Sequence, residues 1–305
     1  MKGTQTMKAE TSERIDIYTQ ITNQIVEAIE AGAETYTMPW HVNGADSPLP
    51  VNAATHRAYR GINVMMLWAV AAKEGYDTNL WATYPQWQEL GAQVRKAERS
   101  ASVVFWKFFD DDLEDPKAGN EETRTVRKAV MARAYHVFNA AQVDGYEIPS
   151  IPRLPESERI ERAEQFFNGI GAEIREGGSR AFYSKSEDYI QMPPFSAFKK
   201  ADFRYSVLAH EITHWSGAAD RLNRDLASRF QKEVYAGEEL IAELGSAFIS
   251  AALGLEIEPR RDHAPYIESW LRALRNDKRA MFTASAKAQQ AVDWLFQRTP
   301  VAAAA

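Results

Sequence analysis

The sequence predicts a two-domain α+β protein, and three observations carry that expectation. The 305 residues suffice for one large or two ordinary domains, either with a full hydrophobic core. The segment Glu147 to Pro155, EIPSIPRLP, has three prolines in seven residues, which blocks helix continuation and sheet pairing and reads as a stiff linker. It divides the chain into residues 1–151 and 152–305. The first half combines helices with a long strand hairpin, whereas the second runs three strands and then helices.

The elements follow in order. Ser12 to Ala31 is a helix, because Ile15, Tyr18, Thr19, Ile21, Thr22, Ile25, Val26 and Ile29 form a 3.6-residue stripe that Gly32 stops. Tyr36 to Tyr59 is rich in Pro, Asn and Gly and reads as a long loop. Ile62 to Lys73 is apolar all round, hence a buried helix. Thr83 with Gln86 makes a capping box for a helix reaching about Ala97. Ala101 to Phe109 and Thr123 to Phe138 are strands of an antiparallel hairpin with the acidic stretch as a solvated tip. In the second half Ser157 to Gly169 is a helix. Ala172 to Arg175, Ala181 to Ser184 and Asp188 to Met192 are short strands. Phe195 to Trp215, Ala236 to Leu253, Pro265 to Arg275 and Arg279 to Gln297 are helices. Tyr189 to Met192 is either an edge strand that could pair with an extended peptide or a core strand.

Composition narrows the chemistry. The absence of cysteine excludes disulfides, thiolate metal sites, iron–sulfur clusters and cysteine nucleophiles, so a transition metal must be held by His, Asp or Glu. No apolar run is long enough for a transmembrane helix, and Met1 to Glu13 lacks the apolar core of a secretory signal. The expected compartment is therefore the cytoplasm, with no membrane partner. The net charge of −6 disfavours nucleic acid only on average. Seven acids between Asp110 and Glu122 face a single Lys117, and without that stretch the rest of the first half is +1. Arg124, Arg127, Lys128 and Arg133 follow with no acid between them, so local basic surfaces are possible.

His210-Glu211-Ile212-Thr213-His214 is an H-E-x-x-H sequence on a predicted helix. Positions i and i+4 share a face, so both imidazoles can meet one metal ion. Glu211 is then close enough to polarise a water and take its proton. Zinc suits imidazole and carboxylate donors with one open position, although another divalent metal is possible. The uncharged neighbours Val207, Leu208, Ala209, Ile212, Thr213 and Trp215 fit a buried active-site helix. A third ligand can come from Glu238, Glu239 or Glu243 on the next helix, where Glu239 and Glu243 share an otherwise apolar face and need partners. Glu238 suits a solvated acid. The E-x-x-A-E pattern resembles the glutamate helix of gluzincin metallopeptidases. That resemblance implies Glu239 as third ligand and Glu243 as the acid that holds a ligand histidine from behind, with Glu243 as ligand the alternative. The chemistry expected is metal-assisted hydrolysis with Glu211 as general base, then acid toward the leaving amine. Tyr235 or His263 could supply an oxyanion partner.

The first half carries five of eight tryptophans, several beside cations or amides. Trp40, Asn52, Arg57, Tyr59, Arg60 and Asn63, then Arg95 and Lys96, then Lys107, and finally Arg127 and Lys128, suit a single-stranded nucleic-acid groove in which bases stack and cations follow phosphates. The alternative is that most of the rings are core, as Trp68 and Trp81 are in either case.

Resemblance adds to this. Pro39-Trp40, Pro50-Val-Asn52 through Tyr59-Arg60-Gly61-Ile-Asn63, Thr83-Tyr-Pro-Gln86 and Gly91 through Arg95-Lys96 resemble the N-terminal domain of ArdC-type antirestriction proteins, a domain shared with TraC-type primases of conjugative plasmids. His210 through Trp215, Arg221-Leu222 and Tyr235-Ala-Gly-Glu-Glu239 through Glu243-Leu-Gly are similar to the zincin-like metallopeptidase domain of the same family. The resemblance implies single-stranded DNA binding by the first domain, a zinc-peptidase fold in the second, and protection of incoming plasmid DNA during conjugation. In Arg95-Lys96-Ala97-Glu98-Arg99 the glycine usual after the lysine is absent. The residues also allow two other readings: an active metalloendopeptidase whose first domain recruits a protein substrate, and a binding module whose metal is structural.

Overall fold

A computed structural model describes residues 16–35, 38–40, 49–113, 124–149, 154–224, 232–257, 264–299 and 301. For 35, 107–113, 124–132, 232–235 and 264–265 it describes the backbone alone. The first helix, α1 (Ile17–Gly32), is capped by Asp16, whose carboxylate accepts from the Tyr18 amide at 3.4 Å. It buries Ile21, Thr22, Ile25, Val26 and Ile29, the stripe its spacing predicts, while the expected start at Ser12 lies outside the described residues. The loop after it contains a two-residue strand, β1 (Val51–Asn52). Then come α2 (Ile62–Glu74), buried on every side from Ile62 to Ala69 as its composition requires, and β2 (Leu80–Thr83), parallel to β1.

The capping box of Thr83 and Gln86 forms as predicted, but α3 (Tyr84–Glu89) ends well before Ala97. Gly91, at φ 77°, turns the chain out of the helix, and β3 (Gln93–Val94) follows. Ala97 has φ 70°, the left-handed region that glycine adopts without strain, at the position where the related pattern carries glycine. The hairpin is β4 (Ala101–Leu113) with β5 (Arg124–Asn139), from Ala101 opposite Val137 to Leu113 opposite Arg124. The ladder continues through Asp110 opposite Arg127, so the first three acids belong to the strand and not to the tip; residues 114–123 lie outside the described residues. After β6 (Val143–Asp144), which pairs with β3, the sheet order is β1-β2-β5-β4.

The second half begins with α4 (Glu156–Ile170). The strands β7 (Glu173–Glu176), β8 (Phe182–Ser184) and β9 (Tyr189–Met192) follow in the order β7-β9-β8. Tyr189 to Met192 is therefore the central strand, parallel to β7 and antiparallel to β8, and not an edge open to a peptide. Its inward residues Ile190 and Met192 are fully buried, which only a covered strand can offer. Pro193, Pro194 and one 3-10 turn at Phe195–Ala197 delay the next helix, so α5 (Ala201–Trp215) starts later than Phe195. Asp202 fixes that start, accepting from Arg159 at 2.6 Å and from the Glu256 amide at 2.9 Å. The chain ends in α6 (Lys232–Leu253), α7 (Ala264–Asn276) and α8 (Ala280–Phe296).

This is the expected two-part α+β architecture, but one hydrophobic core runs through both parts. Trp40 packs edge-on against Trp270 with ring centroids 6.1 Å apart, Trp68 lies 5.9 Å from Phe248, and Tyr18 lies 4.7 Å from Phe282. No helix among the described residues is long and apolar enough to cross a membrane.

Candidate metal centre and nucleic-acid groove

The metal centre is built on α5 and α6. One helical turn separates His210 from His214, and their Nε2 atoms face each other at 3.2 Å. Glu239 on α6 approaches both, its Oε2 lying 3.6 Å from His210 Nε2 and its Oε1 3.6 Å from His214 Nε2. Behind the rings, His210 Nδ1 lies 2.9 Å from Glu243 Oε1, and His214 Nδ1 lies 3.4 Å from Glu238 Oε1. A carboxylate beside each Nδ1, hydrogen-bonded in the His214–Glu238 pair, favours the proton at Nδ1 and leaves the lone pairs on Nε2. Two imidazole lone pairs and a carboxylate then converge in a buried space, an arrangement that repels itself unless a cation sits between them. Donors on a tetrahedral zinc, each ~2.0–2.1 Å from the ion, lie about 3.3 Å apart, which matches the imidazole pair. The three groups can hold a divalent metal, and three protein donors leave a fourth position open, as in gluzincin-like metallopeptidase sites. Glu211, next along α5, is buried beside the first histidine.

The carboxylates reach the histidines because the two helices touch closely. A Cβ at Gly245 would lie 2.6 Å from the Thr213 side chain, so glycine alone permits this approach. Ser246 Oγ donates to the Ser206 carbonyl at 2.7 Å across the same seam. Glu238 is the main surprise. Its sequence context suits a solvated acid, yet it is 5% exposed and binds both His214 and the buried Arg224, the latter at 2.9 Å. Burial alone would raise its pKa, but His214 and Arg224 outweigh burial and hold the carboxyl below its ordinary range. Arg224 also donates to Ser216 Oγ at 3.0 Å and to the Thr213 carbonyl, stapling the end of α5. Nothing in the local sequence marks Arg224, because its partners come from distant positions. Of the possible oxyanion partners, the Tyr235 side chain and His263 lie outside the described residues.

The residues singled out for nucleic acid separate into groups. Asn52, Arg57, Tyr59, Arg60 and Asn63 line one open groove of about 1560 Å³. Within it Asn52 is structural as well as polar. Its side chain accepts from the Ala54 and Thr55 amides and its Nδ2 donates to Tyr59 Oη at 3.2 Å. Asn63 is buried and clamps β4 by donating to the Val104 carbonyl at 2.9 Å and accepting its amide at 2.8 Å. Arg57 and Arg60 are exposed, and Arg60 pairs with Asp293 of α8. Trp40 is 1% exposed in the core and has no face on which a base could stack. Arg95 and Lys96 line a second, smaller recess, where Glu98 at 2.8 Å and Asp144 at 3.6 Å partly neutralise Arg95. The backbones of Lys107, Arg127 and Lys128 lie on the hairpin, and their side chains lie outside the described residues. The exposed rings are ones the sequence does not single out. Phe105 is 50% exposed and meets Tyr135 edge-on at 5.4 Å. In a strand, an aromatic reads as core, so no sequence signal distinguished them.

Comparison with known proteins covers nearly the whole chain. Residues 161–287 match the zincin-like metallopeptidase family, and residues 15–138 match the N-terminal domain of anti-restriction factor ArdC. The uncharacterized protein y4eC of Sinorhizobium fredii (strain NBRC 101917 / NGR234) is 54% identical over 280 residues, covering 92% of this chain and 91% of that one. A DNA primase TraC of Escherichia coli is 36% identical over 285 residues, 90% of this chain but 19% of the primase. Crystal structures of the antirestriction ArdC protein from plasmid R388, metal-free and Mn(II)-bound, are similar at 39% identity. Each has a TM-score of 0.72 and covers 93% of this chain, with 97% and 98% of the respective structures covered.

Proposed function

Because the chain belongs to the family of ArdC antirestriction proteins, we propose that it binds single-stranded DNA and shields incoming DNA from restriction in the recipient cytoplasm during conjugation. The observation that carries the reading is the groove beside Arg57 and Arg60, a surface lined by more cations than acids and carrying the exposed Phe105 ring, in a chain of net charge −6. A stacking and phosphate-following surface of this kind suits single strands better than duplex. The division of labour follows residues 1–151 for DNA and 152–305 for the metal centre.

In the second part His210, His214 and Glu239 are the metal ligands, Glu243 and Glu238 hold the histidines from behind, and Glu211 is the catalytic base. Zinc suits the donors, and the Mn(II)-bound relative fits a site that accepts other divalent ions. A bound ion would supply Lewis acidity toward a carbonyl and an adjacent water. Glu211 would take the proton from that water and return it to the leaving amine. The presence of Glu211, which metal binding alone does not require, favours a second reading: a metalloendopeptidase to which the first domain delivers a protein substrate.

One experiment tests both. Transfer of plasmid DNA into a restricting recipient is measured with wild type, Glu211→Ala and Arg57→Glu. Protection should survive Glu211→Ala, with fold and metal content intact, and fall with Arg57→Glu. Loss of protection in Glu211→Ala with metal retained would instead make proteolysis the function.

A further inference from the structure

The groove that holds Arg57 and Arg60 has a second wall. The last helix, α8, turns Thr283, Ala286, Lys287, Gln290 and Trp294 toward it, a helical spacing that defines one face. Arg279, at the helix start, lines the same space. The lining residues include four cations, Arg57, Arg60, Arg279 and Lys287, and one acid, Asp293. That acid is already compensated, since Arg60 pairs with it and Gln289 Nε2 donates to it at 3.0 Å.

The walls are tied across the groove. The Gly61 amide donates to Gln289 Oε1 at 3.0 Å, beside the Arg60–Asp293 pair. The spacing between the walls is therefore fixed before any ligand arrives, and fixed walls lower the ordering cost of binding. Arg279 is positioned over the Tyr18 ring at 5.1 Å, while Trp294 is held between Arg298, at 3.3 Å from its ring centre, and Trp215, at 5.9 Å. Trp294 is thus a buttress, and the groups placed to meet a ligand are Arg279, Lys287 and Gln290, all exposed. Phe105 and Arg57 line the same groove from the first half, so a strand between the walls meets a stacking ring on one side and cations on both.

We propose that single-stranded DNA is gripped from both sides of this groove, with Arg279, Lys287 and Gln290 of the metal-centre half contacting its backbone. The inference rests on the DNA-binding reading above and adds that the N-terminal domain does not bind alone. The half that carries the metal centre thereby becomes part of the nucleic-acid surface.

The test uses the full chain and a labelled oligothymidylate of about 16 nucleotides. Anisotropy titrations over a range of salt compare wild type with Arg57→Glu, with Lys287→Glu, and with Arg279→Glu plus Lys287→Glu. Melting temperature is checked for each. Affinity should fall about tenfold or more in the double variant, and the slope of log K against log salt should shrink by about 0.7 for each phosphate no longer neutralised. These side chains are exposed, so melting should not change. Wild-type binding that Arg57→Glu weakens and the α8 variants leave untouched overturns the second wall alone. Wild type with no salt-dependent affinity overturns the DNA-binding reading and this inference with it.

Discussion

His210 and His214 use their two nitrogens for opposite tasks: Nδ1 faces a carboxylate, and Nε2 turns toward Glu239. The carboxylates behind the rings set the tautomer, so they matter to metal affinity without touching the ion. Glu238 links His214 to Arg224 and is the residue whose role the sequence conceals. Replacing it by glutamine keeps the size but removes the charge that orients His214. Metal affinity of Glu238→Gln should fall about 10- to 100-fold, read by competition with a chromogenic chelator. Unchanged affinity together with a lower melting temperature would reduce Glu238 to a structural partner of Arg224. His210 and His214 were legible because ligand spacing is a local property of a helix. Glu238 and Arg224 were not, because their pairing depends on how α6 and the segment after α5 fold back.

At the scale of elements, the turn between β8 and β9 is strapped to the end of α5. Arg221 donates to the Trp215 carbonyl at 2.6 Å, stacks over the Trp215 ring at 4.1 Å, and pairs with Asp188. Tyr183 donates to Asp188 at 2.9 Å, and burial together with that carboxylate pushes the phenol up to about 12, so it stays protonated. Hydrogen bonding from Arg221 holds the Asp188 carboxyl below its ordinary range. A depressed carboxyl contributes stability that is present above its unfolded pKa of about 3.9 and is lost as pH falls through the lower folded value. Asp188→Asn should therefore melt below wild type near neutral pH, and the gap should close in acid below about pH 4. A gap independent of pH would show that the strap does not act through the charge of Asp188. Element identity was mostly legible here, whereas boundaries were not. The α3 helix stops at a glycine whose backbone angle no pattern prints, and β9 is central because two other strands claim its edges.

For the whole molecule, the continuous core changes what the linker means. Residues around Pro149 to Pro155 separate two family domains in sequence, but Trp40, Trp68 and Tyr18 pack against Trp270, Phe248 and Phe282 of the other half. Packing rings of this size across a boundary couples the halves, since each ring loses part of its burial if the half it packs against unfolds. Calorimetry should show one unfolding transition for the full chain, and saturating metal should raise it as a unit, by about 2.7 kcal/mol at a hundredfold excess over Kd. Two separate transitions, only one of them metal-dependent, would show the halves to be independent.

The sequence by itself determined the two-part α+β plan, the histidine pair with Glu211, and the carboxylate helix that completes the donor set, because helical spacing and the absence of cysteine leave few other ways to build a metal site. It also carried the family resemblance across both halves. Only the tertiary structure decided which acid faces which nitrogen, that Trp40 belongs to the core, that the cations chosen for DNA fall on separate surfaces, and that α8 closes the groove. Those outcomes depend on contacts between residues far apart in the chain, and one-dimensional spacing holds no record of them.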